Sequence, residues 1–307
     1  ITVTITGKNA TKQYTGSEQS VTGFTADVGD KPITVSLNTA GKDTAKGTNV
    51  GKYTMGLTED DFTVTSTNYS NIKVKVVDGF LEITANTAEI TVTITGNNDT
   101  KQYNGSEQSA TGFTADVGSK PITVALKEGK EAIAKGTDVG KYTMGLTKDD
   151  FTVTSANYSN IKVEVVDGFL EITPNTAEIT VTITGKNATK QYTGSEQSVT
   201  GFTTDVGSKP ITVALKEGKE ATAKGTNVGE YKMNLTTDDF TVTSANYSNI
   251  KLNVVDGFLK ITPNDSEITV TITGNNATKQ YNGSEQSVTG FTTDVGSKPI
   301  TVALKDG

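Results

Sequence analysis

The chain has 307 residues, a formal net charge of −7 and no Cys, His or Trp. Disulfides, zinc–thiolate sites and histidine acid–base chemistry are therefore excluded, which argues against an enzyme, and no cofactor is implied. All 28 basic residues are Lys, so the guanidinium fork that grips phosphates and guanine edges is missing, and a surface with pI about 4.9 suits nucleic acid poorly. No run of 18 apolar residues is present to span a membrane. The chain also opens in strand pattern at Ile1-Thr2-Val3 rather than in signal-peptide sequence, so it reads as a soluble acidic fragment. At 33% hydrophobic residues, it matches thin β-domains with polar outer faces better than one large core.

In chain order, Ile1-Thr2-Val3-Thr4-Ile5-Thr6 alternates strictly and predicts a half-buried strand, closed by a turn at Gly7-Lys8-Asn9. Turns follow at Thr15-Gly16 and at Val28-Gly29-Asp30-Lys31-Pro32, then a strand over Ile33-Thr34-Val35-Ser36-Leu37 and a turn at Asn49-Val50-Gly51. Tyr53-Thr54-Met55-Gly56-Leu57, Phe62-Thr63-Val64-Thr65 and Ile72-Lys73-Val74-Lys75-Val76 alternate in the same way, and Asp78-Gly79 turns the chain again. Thr recurs because its branched hydroxyl side chain favours extended backbone and leaves a wettable face. The expected core is Ile1, Val3, Ile5, Tyr14, Phe24, Ile33, Val35, Leu37, Tyr53, Met55, Phe62, Val64, Val74, Phe80 and Ile83. Seven or eight short strands in about 90 residues predict an antiparallel, Ig-like all-β sandwich. Helical signals are limited to a capped turn at 57–62 and a turn or two within 127–135, which leaves a β-grasp-like α+β fold as the minority alternative.

The string Ile-Thr-Val-Thr-Ile-Thr-Gly begins at Ile1, Ile90, Ile179 and Ile268, a period of 89 residues without insertion or deletion. It divides the chain into repeats 1–89, 90–178 and 179–267 and a partial fourth over 268–307. Such a period exceeds that of solenoid units and lies within the range of autonomous domains. The linkers are about five residues, stiffened by Pro174 and Pro263 with Ala85 at the first, and predict a semi-rigid rod of roughly 40 Å per domain.

The elements Lys101-Gln102-Tyr103-Asn104-Gly105-Ser106-Glu107-Gln108, Asp138-Val139-Gly140-Lys141-Tyr142, and Asn157-Tyr158 through Val166-Asp167-Gly168-Phe169-Leu170-Glu171-Ile172-Thr173-Pro174 resemble the MBG/YDG class of bacterial surface repeats. The resemblance runs through every copy. The first and third differ in having Tyr14-Thr15-Gly16 and Tyr192-Thr193-Gly194 in place of Tyr-Asn-Gly. It implies an Ig-like repeat of a secreted or wall-attached protein of Gram-positive type, often an adhesin, and it implies no catalytic residues.

Four kinds of chemistry are compatible with the residues. An isopeptide cross-link requires a lysine in an apolar core beside an amide or acid acceptor and a catalytic carboxyl. Lys12, Lys31 and Lys46 are candidate nucleophiles, Asn68, Asn71 and Asp78 candidate acceptors, and Asp60 or Asp61 the acid; a Thr–Gln ester through Gln13 or Gln19 is a weaker variant. Calcium at the linkers would draw on Asn86, Glu89 and Asp78 in the first and on Asn175, Glu178 and Asp167 in the second. Glycans would stack on Tyr14, Tyr53 or Tyr69. Glycosylation acceptors such as Asn9-Ala10-Thr11 and Asn68-Tyr69-Ser70 matter only in a host with the transferase. Glu59-Asp60-Asp61 is read as the start of a helical turn, since adjacent carboxylates on extended backbone face opposite ways. The expected role is a structural stalk whose partners are its own neighbouring repeats. The alternatives are a multivalent host- or cell-wall-glycan binder and a filament in which strands of the next chain complete the partial fourth repeat.

Overall fold

The computed structural model describes residues 1–306. The chain divides into two compact units, Ile1–Thr173 and Pro174–Gly307. Each full repeat carries ten strands rather than seven or eight, and none of the described residues is α-helical. In the first repeat they are β1 (Thr2–Gly7), β2 (Ala10–Gln13), β3 (Gln19–Thr22), β4 (Phe24–Asp27), β5 (Thr34–Leu37), β6 (Thr44–Gly47), β7 (Gly51–Thr54), β8 (Phe62–Thr65), β9 (Lys73–Val77) and β10 (Phe80–Thr84). The segment 127–135 forms a turn leading into the strand Ile133–Gly136, so the α+β alternative is not realised.

The all-β tandem reading holds, but the sheets are mixed rather than purely antiparallel. One sheet has the order β4-β1-β9 and the other β2-β10-β7, with two-stranded ladders β3-β6 and β5-β8 beside them. β1 runs parallel to β9 and β2 parallel to β10, with one 71-residue offset for both pairs, Thr2 opposite Lys73 and Leu81 opposite Ala10. Residues 2–13 and 73–84 therefore form one long parallel ribbon that leaves the first sheet and enters the second. The corner falls at Gly7 and Gly79, as expected where strands switch sheets. A Cβ on Gly7 would lie 2.5 Å from the Gly79 nitrogen, so the two backbones touch where the ribbon bends.

This bend closes the core. Val3 and Ile5 from the first sheet and Leu81 and Ile83 from the second are at most 1% exposed and share one cluster with Tyr14, Ala45, Met55, Leu57 and Phe62. Each large aliphatic side chain contributes roughly 1.5–3 kcal/mol on burial. Phe24 packs edge-to-face on Phe62 with centroids 4.9 Å apart, and the same pair recurs as Phe113–Phe151 and Phe202–Phe240. Two expected core members lie elsewhere. Ile1 is 39% exposed at the strand start, and Phe80 faces outward beneath the Lys52 ammonium, 3.8 Å from its ring centre. Alternation along β10 puts Leu81 and Ile83 inside, which leaves Phe80 on the other face. Gly47 is also structural, because the Tyr53 ring occupies the space that its Cβ would fill.

In the partial fourth repeat only the counterparts of β1 and β4 pair, Thr271–Gly274 with Phe291–Asp294. Ile272 is 58% exposed and Tyr281 94%.

Candidate functional site

The most elaborate polar arrangement in the first unit joins one repeat to the next. After β10 the linker residue Asn86 forms a turn: its Oδ1 accepts the Ala88 N–H at 2.9 Å and its Nδ2 donates to the Tyr14 carbonyl at 3.0 Å. The main chain of Asn86 then bridges in parallel to Tyr158 of the second repeat. Asn86 N–H donates to the Asn157 carbonyl at 2.9 Å, and Ser159 N–H donates to the Asn86 carbonyl at 3.1 Å. Asn157, 5% exposed, reaches back into the first repeat. Its Oδ1 accepts the Val50 N–H at 2.9 Å and its Nδ2 donates to Asn49 Oδ1 at 3.1 Å. The Tyr158 ring stands edge-on to Tyr14 at 5.3 Å and 85°, packed against the first repeat's core. The first repeat thus offers a socket of Tyr14, Asn49 and Val50, and Asn157-Tyr158 is the plug.

Local chemistry explains each half. Tyr53 hydroxyl donates to the Asn49 carbonyl at 2.9 Å and holds the turn before β7, which sets Asn49 and Val50 on the rim. Ser155 Oγ accepts the Asn157 N–H at 3.2 Å and donates to the Pro121 carbonyl at 2.7 Å, which fixes the loop that carries the plug. Within the second unit the linker residue Asn175 makes the same main-chain bridge to the third repeat: its N–H donates to the Asn246 carbonyl at 2.9 Å, and Ser248 N–H donates to the Asn175 carbonyl at 3.1 Å. The sequence reading took Asn49-Val50 as a plain turn and missed this joint. A usable signal was there, since Asn-Tyr-Ser-Asn recurs at 68–71, 157–160 and 246–249, outside every alternating run. An aromatic held in a loop asks for a partner.

The candidate cross-link residues lie in polar surroundings. Lys12, Lys31 and Lys46 are exposed; Lys12 Nζ donates to the Ser20 carbonyl at 2.8 Å, and Lys46 pairs loosely with Glu18 at 3.7 Å. Asn68 and Asn71 are exposed, so the apolar burial that an isopeptide bond needs is not present at these residues. Asp78 is a latch instead, accepting the N–H groups of Gly56 and Leu57 at 3.0 Å each, and Asp167 does the same for Gly145 and Leu146. Gln13 donates to Thr87 Oγ1 at 3.3 Å and Gln19 to the Gln13 carbonyl at 2.9 Å. At the linkers, Asn86 and Asn175 spend their side-chain oxygens on turns, Glu89 is exposed, and Glu178 lies 4.0 Å from Lys251. No group of three or more Asp or Glu side chains placed to hold a metal ion is gathered among the described residues. Of the tyrosines proposed for glycans, Tyr14 is buried beneath Tyr158 and Tyr53 packs on Gly47, whereas Tyr69 is open at 37% exposure. Asn9 Oδ1 accepts the Phe80 N–H at 3.0 Å.

The acidic triplet forms the expected turn. Thr58 N–H and hydroxyl donate to Asp61 Oδ2 at 2.7 and 2.9 Å, closing a 3₁₀ turn over Glu59–Asp61. The counterparts Asp150 and Asp239 add ion pairs to Lys130 and Lys219 at 2.7 and 2.8 Å. The lysine ammonium and then the Thr147 hydroxyl and N–H hold the Asp150 carboxyl at about 2; Lys219 and then Thr236 do the same for Asp239, also about 2. Asp61, bonded first by the Thr58 N–H and with Lys42 only at 3.9 Å, is also lowered. In the unfolded chain these carboxyls titrate near ~3.9. Their stabilisation is therefore complete above about pH 5 and disappears as the pH falls toward 2. The melting temperature is expected to stay level at higher pH and to drop in that acid window, with a smaller drop in Asp150→Asn combined with Asp239→Asn. Equal acid sensitivity of the double variant and the parent, followed by circular dichroism, would refute the assignment.

No family model and no curated protein matches the chain. Among solved structures it is similar to the N-terminal four Ig domains of Dscam1 isoform 9.44, at 12% identity over 85% of this chain and 73% of that one, with a TM-score of 0.18. The N-terminal four Ig domains of Dscam1 isoform 8.4 are matched at 12% identity over the same shares, with a TM-score of 0.19. The N-terminal eight Ig domains of DSCAM isoform 1.30.30 are matched at 12% identity over 88% of this chain and 41% of that one, with a TM-score of 0.16.

Proposed function

We propose that the chain is a non-enzymatic spacer, the stalk of an extracellular bacterial adhesin or fibre of the MBG/YDG kind, in which copied β-repeats set a distance from the cell surface. The observation that carries this reading is the joint: a linker too short to swing is bonded along its main chain to the following repeat, and a buried asparagine and a tyrosine lock the two bodies. A flexible linker would serve modules that bind independently, whereas a bonded one transmits position. Glycan recognition is the weaker reading, because Tyr14 and Tyr53 are engaged in packing.

Removal of residues 90–178 is expected to shorten the maximum dimension measured by small-angle X-ray scattering by one repeat length, roughly 40 Å at a strand rise of ~3.3 Å. Glycan arrays are expected to stay silent for both forms. An unchanged dimension, or glycan binding that grows with copy number, would overturn the spacer role.

A further inference from the structure

The second repeat is continuous with chain on both sides, so tension reaches it through the linkers 85–89 and 174–178. From the first linker the chain runs along the strands Ile90–Gly96 and Asn98–Gln102, and it returns to the second along Ile161–Val166 and Phe169–Thr173. The returning pair lies parallel to the entering pair, from Ile90 opposite Ile161 to Thr95 opposite Val166 and from Asn98 opposite Phe169 to Gln102 opposite Thr173. Parallel pairing places the entry at one end of this ribbon and the exit at the other. A pull between the two linkers therefore draws the strands lengthwise past each other and loads their evenly spaced bonds together. In an antiparallel pair, entry and exit would share one end, and the bonds would open one at a time.

Three features oppose the slide. The ladder is bonded at both ends and at the bend: Ile90 N–H donates to the Asn160 carbonyl at 3.0 Å, Tyr103 N–H to the Thr173 carbonyl at 2.8 Å, and Phe169 N–H to Asn98 Oδ1 at 3.0 Å. Val92, Ile94, Leu170 and Ile172 are fully buried, so any shift drags close-packed side chains out of their places in the core. The corner is a stop. A Cβ on Gly96 would lie 2.5 Å from the Gly168 nitrogen, and one on Gly168 would lie 2.6 Å from the Asn97 carbonyl oxygen. Pulling draws Asn97 into the place of Gly96 and Asp167 into that of Gly168, and each brings the Cβ for which there is no room. The same 71-residue offset and glycine contact recur in the first repeat, at Gly7 and Gly79, and in the third, at Gly185 and Gly257.

We propose that each repeat is a clamp against stretching, its parallel ribbon loaded in shear by the linkers and stopped at the glycine corner. This load-bearing function rests on the spacer reading and adds to it: the repeats hold their distance under a pull as well as at rest.

Single-molecule force spectroscopy of the intact chain tests this. The chain has no cysteine, so two introduced thiols define the points of attachment. Ala88→Cys with Ala177→Cys pulls through the two linkers. Ser106→Cys with Ala177→Cys puts both handles beyond the Gln102–Thr173 end and peels the same repeat open. All three positions are exposed, so the fold is retained, as unchanged circular-dichroism melts would verify. Forced unfolding reads the barrier along the pulled direction, so the two attachments compare directions in one fold. The linker handles are expected to need at least ~2-fold more force at the same pulling speed, because the ribbon's bonds must fail within one residue's slide of ~3.3 Å. They are expected to release about 270 Å in a single step, at ~3.5 Å per extended residue less the folded length. A force equal to or below that of peeling, or release in several small steps, would overturn the clamp. That result would leave the spacer standing, because the scattering test of repeat length applies no load, and an unchanged dimension there would remove the spacer without touching the force.

Discussion

Gly7→Ala is expected to destabilise the first repeat by about 3 kcal/mol, the upper end of what overpacking costs. The backbone angles at Gly7 are open to any residue, so the penalty is not conformational. It is steric: the new methyl would sit 2.5 Å from the Gly79 nitrogen and 2.8 Å from its Cα, main-chain atoms that cannot swing aside as a side chain can. Separating them would open the corner at which β1 passes into β2 and would disturb Val3, Ile5, Leu81 and Ile83 together. Gly96 faces Gly168 and Gly185 faces Gly257 at the same distances, so alanine at either is expected to cost as much. Urea unfolding of the three variants decides the matter, and a cost below ~0.5 kcal/mol at all three would show that the corner contact is not what demands glycine.

Asn157→Ala is expected to loosen the joint between the first two repeats while leaving each core intact. The substitution leaves the Val50 N–H and Asn49 Oδ1 without their partner, at about 1–3 kcal/mol for a buried polar group stripped of its bond. Tyr158→Ala removes the edge-on contact with Tyr14, worth about 0.5–1.5 kcal/mol beyond the area it buries, and uncovers part of the first core. Native-state hydrogen exchange reads both effects at the amides of Val50, Asn86 and Ser159. At about 1.4 kcal/mol per factor of ten, protection there is expected to fall roughly 10- to 100-fold. Amides of Val3 and Ile5, buried in β1, are expected to keep theirs. Unchanged protection at the three joint amides in both variants would mean that the linker is held by something other than the plug.

Much of the architecture was legible along the chain. The Thr-separated apolar run at Ile1, Val3 and Ile5 marked β1 and its inward face, and β8 appeared at its observed bounds, Phe62–Thr65. The Thr58 and Asp61 pair announced the capped turn. The strands that escaped notice, β2, β3, β4 and β6, are four residues each, and β2 (Ala10–Gln13) and β6 (Thr44–Gly47) have little apolar alternation. Such segments extend because a neighbour takes their main-chain bonds, and four residues carry too few side chains to advertise it. Phe80 was misplaced for a related reason. Hydrophobicity says that a ring is to be covered, but not whether a core or a lysine stem will cover it.

The sequence by itself determined the period of 89, the all-β class, the faces of the alternating strands and the absence of thiol and imidazole chemistry. These depend on residue type and on a side-chain period of two, both of which are properties of the chain's own backbone. Only the tertiary structure decided that β1 pairs with β9 in parallel, that the ribbon bends where Gly7 meets Gly79, and that Asn157 and Tyr158 lock onto Asn49, Val50 and Tyr14. An alternating strand looks the same whichever strand lies beside it. Its partner is selected by contacts tens of residues away, which exist only once the intervening chain has closed around a shared core.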